Sequence, residues 1–265
     1  MPAAEIAKRP TAGERKTVSA RIRSGIVDAL AKRVGLKAEQ RLALLILPLI
    51  ATSIAAGGRA TEPDDDHPMA QFLERVDGLH PYRAMRWLEA ENGGRSAWME
   101  AQTHFSSDTG FRYEVVSEGG SEYIRTKVLR TVLEGEREII EHGEADRSAL
   151  VPENYSFQPN GLGPDGLAKI LISPRRKERV LVAGAMFLRP DGGELVRLQG
   201  RLARNPSFWI KSVDIERRYS RINGVVLPVA MHSTAQLRLL GAASLRMTYT
   251  YTEVDGRAIA PVETD

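Results

Sequence analysis

The stretch "SLRMTYTYT", residues Ser244–Thr252, alternates without a break. Successive side chains of an extended chain point to opposite faces. Leu245, Met247, Tyr249 and Tyr251 therefore share one side, and Arg246, Thr248, Thr250 and Thr252 share the other. One face is apolar and aromatic, the other wet. Antiparallel sheets with one packed side carry this pattern. A fold built on such strands must find a cover for the apolar side.

The neighbouring segments read the same way. From Asn154 onward come "YSFQPNGL", "GLAKILISP", "RVLVAGAMFLRP", "ELVRLQGRLA", "SFWIKSVDIERRYSRI" and "GVVLPVAMHSTAQLRLL". Turn sequences such as "PDGG", "ARNP" and "RING" join them. Upstream, "YRAMRWLEAENGG", "SAWMEAQTHFS" and "GFRYEVVSE" add three more strands. Strands in succession without interleaved helices imply an antiparallel sheet. Two segments change period. "MAQFLERVDGL" places Met69, Phe72, Leu73, Val76 and Leu79 on one helical face, with Gly78 and Pro81 ending it. Between Ser121 and Ile140 the apolar residues Tyr123, Ile124, Val128, Leu129, Val132 and Leu133 recur at three and four, with Ser121 placed as an N-cap. The expected fold is α+β. It is a strongly curved antiparallel sheet, a half-barrel of about 9–11 strands over residues ~82–252, with helices near 68–78 and 121–140 on its concave face.

The sheet presents more apolar area than two short helices can seal at native packing density. "VLVAGAMFL" is apolar on both sides, Met85 and Trp87 share one face of an early strand, and Trp209 aligns with Val213 and Ile215. Met adapts its shape, and aromatic rings keep a polar edge near a mouth. The expected ligand site is thus an apolar cavity walled by Met85, Trp87, Trp209, Leu245, Met247, Tyr249 and Tyr251. The alternatives are a structural or interaction domain in which the same residues form an ordinary filled core, and an enzyme with a site dispersed over the same sheet.

The N-terminal part has its own logic. "RLALLILPLIATSIAAGGRATEPDDDHP" holds a charge-free run from Leu42 to Gly58, 17 residues, with its strongly apolar part at Leu42–Ile50. A membrane-spanning helix wants about 20 apolar residues. The shorter run suits an export signal, with Ser53-Ile54-Ala55 as a small-x-small cleavage pattern and Gly58-Arg59-Ala60 as a second; an uncleaved signal anchor and a core helix are the alternatives. The expected organisation is a basic leader and signal at 1–55, a linker at 56–67, one domain at 68–257 and a tail at 258–265. Of the chain's 37 basic and 34 acidic residues, ten and four fall in residues 1–41. The leader therefore carries +6 and the remainder −3. The basic pI is a property of the leader, and the mildly acidic remainder argues against nucleic acid as a partner.

Signatures of chemistry are absent. There is no Cys, hence no disulfide, thiol nucleophile or lipidated cysteine. The five His, at 67, 80, 104, 142 and 232, form no metal-binding spacing. No GxSxG or GxxxxGK[ST] occurs, and "GLGPDG" reads as a turn. The composition thus points away from catalysis, with no cofactor and no metal expected. "SPRRKER" reads as a solvated hairpin tip or a contact for acidic lipid headgroups.

The order helix, three strands, amphipathic helix, antiparallel run resembles the outer-membrane lipoprotein carrier (LolA/LolB/RseB-like) superfamily. The stretch "GRLARNPSFWIKSVDIERRYSRINGVVLPVAMHSTAQLRLLGAASLRMTYTYTEVDGR" is similar to the C-terminal part of bacterial envelope proteins of this type. There one strand ends in "RY", a turn carries "GV…PV" and a later strand reads "MTY.Y". The resemblance spans roughly residues 68–257 and transfers no single ligand-binding residue. It implies a periplasmic, cavity-bearing sheet under a helical lid in a Gram-negative type of envelope. The implied partners are a lipid or acyl chain and a membrane or lipoprotein.

Overall fold

The computed structural model describes residues 68–75, 78–238 and 241–260. The leader and signal at 1–55, the linker at 56–67 and the end of the tail lie outside the described residues.

Helix α1 (Pro68–Glu74) precedes strands β1 (Tyr82–Asn92), β2 (Arg95–Ser106) and β3 (Gly110–Gly120). Helix α2 follows in three continuous pieces: an α turn Glu122–Ile124, a π-helical stretch Arg125–Leu129 and a regular stretch Arg130–Glu141. Strands β4 (Tyr155–Leu162), β5 (Ala168–Pro174), β6 (Val182–Leu188) and β7 (Leu195–Leu202) come next. They are followed by β8 (Ile210–Ile222), β9 (Val225–Leu237), β10 (Gly241–Val254) and β11 (Arg257–Ala258). All pair antiparallel in one sheet, in the order β3-β2-β1-β10-β9-β8-β7-β6-β5-β4, with β11 on β10. The sheet is curved and unclosed, with β3 and β4 at its edges. This is the α+β architecture expected. Two details differ. Helix α1 ends at Glu74 rather than near residue 78. Ser121 stands at the N-cap but its side chain caps nothing; its N–H instead joins Ser96 O at 2.8 Å.

One face of the sheet is covered, and two apolar clusters lie along it. The first gathers Leu88, Met99, Met231, Leu245 and Met247 under the Ile124, Val128, Leu129, Val132 and Leu133 face of α2. The second gathers Ile170, Met186, Leu188 and Leu198 with Met69 and Phe72 of α1 and the segment 149–151. Its anchor is Tyr155, whose hydroxyl accepts the Val182 N–H at 3.1 Å.

Glycines set two close approaches. Gly184 and Gly200 are paired neighbours on β6 and β7. A Cβ at Gly184 would lie 2.1 Å from Gln199 O, and one at Gly200 would lie 2.3 Å from Ala183 O. Only glycine permits strands this close, which is how sheets bend at a defined place. Gly193, at φ +61, lets the β6–β7 turn reach the Pro68 carbonyl of α1, where a Cβ would come within 2.3 Å.

Candidate functional site

The apolar residues of β10 face inward, as their alternation requires. Leu245, Met247, Tyr249 and Tyr251 are all at or below 8% exposure, packed on Leu88, Met231 and α2. Next to them lies a half-open cavity of about 30 Å³. Ile124 and Val128 of α2, the segment Ala90, Glu91 and Asn92 of β1, Ser233 and Ala235 of β9 and the segment 243–245 of β10 line it. That volume corresponds to about one water molecule. The π-helical stretch of α2 contributes Val128 to this wall, and local π geometry often coincides with functional positions.

Beyond the cavity the covered face carries charge. Arg86 of β1 is 1% exposed and donates from Nη1 and Nη2 to the two carboxylate oxygens of Glu136 on α2, at 2.5 and 2.9 Å. Its Nη2 also reaches the Tyr82 hydroxyl at 2.5 Å. The guanidinium lies over the rings of Tyr249 at 4.7 Å and Phe111 at 5.1 Å. This bidentate pair ties helix to sheet in a dry setting, supported by Arg125 and Arg130 on Glu118 and by Tyr113 donating to Glu134. Burial opposes the charge on Arg86, but the Glu136 carboxylate and its hydrogen bonds hold the guanidinium protonated well above its ordinary range.

Arg217 of β8 is the counterpart without a carboxylate. It is 2% exposed, its Nη2 faces Met231 Sδ at 3.6 Å, and its Nε has no partner. In register it stands between Met231 of the first cluster and Leu198 of the second. Burial opposes its charge, but Tyr219, which also shares a hydrogen bond with it, together with Tyr249 and Glu136 raises the guanidinium above its ordinary range. Among the described residues the buried charged side chains are Arg86, Glu136 and Arg217, so the covered face holds two guanidiniums and one carboxylate. Glu136 is committed to Arg86. A net buried positive charge remains, about one side-chain row from the cavity wall at Ser233, which pairs with Ile215.

The other expected wall residues are placed elsewhere. Met85 and Trp87 point to the opposite face, because Arg86 and Leu88 occupy the inward positions of β1. Trp87 stacks on Trp98 at 4.8 Å and is 41% exposed. Trp209 precedes β8, and a register shift between Ile210 and Ser212 separates it from the inward set Ile210, Val213 and Ile215. It is 37% exposed and meets Phe208 edge-on. The structure therefore brings together four of the seven residues and disperses the other three.

His104 and His232 sit on β2 and β9, with β1 and β10 between them. Among the described residues no group of three or more His, Asp or Glu is arranged to hold a metal. His80 binds Asp255 at 2.9 Å.

No known protein-family profile and no curated protein matches the chain. Among solved structures it is similar to a DUF1329 family protein from Desulfovibrio piger, at 9% sequence identity and a TM-score of 0.30, over 64% of this chain and 83% of that one.

Proposed function

We propose that this chain is an exported binding protein of the lipoprotein-carrier superfamily, holding an apolar chain with an anionic head between α2 and the sheet. One observation carries the reading. A buried guanidinium, Arg217, has no carboxylate of its own on a face whose one buried carboxylate, Glu136, is bound to Arg86, and it lies close to a half-open cavity. Buried charges ordinarily have partners. A carboxylate or phosphate on the ligand supplies one, and its tail takes the cavity direction. An acyl chain needs far more than 30 Å³. The bound state therefore requires the start of α2, with its π-helical stretch, to shift outward while the Arg86–Glu136 pair keeps the rest of the helix seated.

A second reading has its own observation. Leu245, Met247, Tyr249 and Tyr251 are already packed, which is what a filled core without a ligand requires. Native mass spectrometry of envelope-purified protein, with titration of a fluorescent fatty acid, separates the two. The carrier reading expects co-purified lipid and binding that weakens about tenfold or more in Arg217→Met. Absence of both in wild type, with Met247→Ala losing about 2–5 kcal/mol of stability, leaves only the filled core.

A further inference from the structure

The turns at one end of the central strands carry an exposed aromatic pair among cations. Phe208 is 74% exposed and Trp209 37%, both in the β7–β8 connection, with ring centroids 5.4 Å apart. Arg238, after β9, donates from its N–H to Trp209 O at 3.0 Å and from Nε to Phe208 O at 2.7 Å, and lies over the Phe208 ring at 5.0 Å. On the other side, Ala203 N–H joins Leu181 O at 2.8 Å, so the same loop abuts the β5–β6 connection and its "RRKER" sequence. Lys177, Arg204, Lys211 and Arg238 are all exposed. Two carboxylates of these loops and strands are taken: Glu178 by Arg147 and Arg176, Asp214 by Arg201. The cavity-lining residues Ala235 and Ser244 belong to these same strand ends, a few residues from Arg238.

We propose that this end of the domain docks on an anionic lipid bilayer, with Phe208 and Trp209 at the boundary of headgroups and acyl chains and the surrounding cations on lipid phosphates. Aromatic side chains with adjacent polar groups favour that boundary, and cations near an anionic surface add salt-sensitive attraction. Two aromatic side chains are too small a patch for a stable protein interface, which buries about 800 Å² per partner. Charge and size together select the membrane. The inference does not depend on what the cavity holds. It places the cavity's open end near the bilayer.

The test uses the full chain, which has no native Cys. Because the leader's charge of +6 would itself attract anionic vesicles, the readout must be local. An environment-sensitive fluorophore is placed on Ser207→Cys, beside the aromatic pair, and separately on Leu162→Cys, an exposed site at the end of β4 that pairs with the start of β5, away from the β5–β6 connection. Vesicles of phosphatidylcholine with and without phosphatidylglycerol are added. The expected result is a blue shift at position 207 only, only with phosphatidylglycerol, and reversed by high salt. Adding Arg204→Glu and Arg238→Glu should weaken the transition about tenfold or more. Adding Phe208→Ser and Trp209→Ser should abolish the blue shift. Vesicle binding with an unshifted label at 207, an equal shift at 162, an equal response to pure phosphatidylcholine, or a shift that appears without vesicles through self-association would each overturn the proposal.

Discussion

Two arginines decide how the covered face behaves. Arg86 is a buried ion paired with a carboxylate: two bonds to Glu136, one to Tyr82 and aromatic faces around it, with only its Nε unpartnered. Removing one member of such a pair strands the other without solvent. Glu136→Leu should cost about 3–5 kcal/mol in urea unfolding, whereas replacing Arg86 and Glu136 together by Met and Leu should cost far less. Equal losses in single and double variants would disprove the coupling. Arg217 is held by weaker groups. Its partners are Tyr219 and Met231 rather than a carboxylate, so Arg217→Met should cost the ligand-free protein clearly less stability than Glu136→Leu does. An equal or larger loss would show that the tyrosines compensate this guanidinium as fully as Glu136 compensates Arg86.

At the scale of elements, the paired glycines of β6 and β7 are the tightest constraint. Each added Cβ would meet backbone rather than a movable side-chain end. Gly200→Ala should therefore destabilise by about 1–3 kcal/mol, although alanine suits a strand better than glycine elsewhere. Retained stability in a thermal melt would mean that the strands can separate. Helix α2 is held differently, by an apolar stripe and by polar ties to β1 and β3 along its length. Its first turns, beside the cavity, depart from regular α geometry while its second half does not. Hydrogen exchange should accordingly be faster over residues 122–129 than over 130–141. The reverse order would remove the first half of α2 as the entry point for a ligand.

The whole domain should respond to alkali. Burial pushes the Tyr155 hydroxyl up to about 12, and also raises Tyr82, Tyr249 and Tyr251 above the ordinary tyrosine range. For these groups the folded state holds the proton more tightly than the unfolded chain. Their contribution is fully present below about pH 10, where unfolded tyrosine begins to ionise, and for Tyr155 is lost as pH rises toward about 12. The urea midpoint should be level from pH 8 to 9 and fall between pH 10 and 12, and Tyr155→Phe should flatten part of that fall. A midpoint independent of pH in that window would mean that these hydroxyls are solvated in the native state. Export belongs to this scale too. N-terminal sequencing of envelope protein should place the mature start between Ala56 and Thr61. An intact leader there would mean a tethered domain.

The sequence by itself determined the elements: alternation marks β10, a three-and-four spacing marks α2, and turn residues mark the hairpins. It also determined the inward set Leu245, Met247, Tyr249 and Tyr251, because the stretch 245–252 of that strand alternates without exception. The inward set of β1 was not legible, and the reason is Arg86. With an arginine at an inward position, Met85 and Trp87 looked like the apolar face, although Ala84, Leu88 and Ala90 are the buried ones. Burial of that arginine depends on Glu136, fifty residues away on another element, and no local pattern encodes such a partner. The register shift at the start of β8 displaced Trp209 in the same way, since a single unpaired residue exchanges the faces of everything before it. Only tertiary structure decided which side of each irregular strand is dry, because desolvation and ion pairing are properties of neighbours brought together by the sheet and not of the chain order.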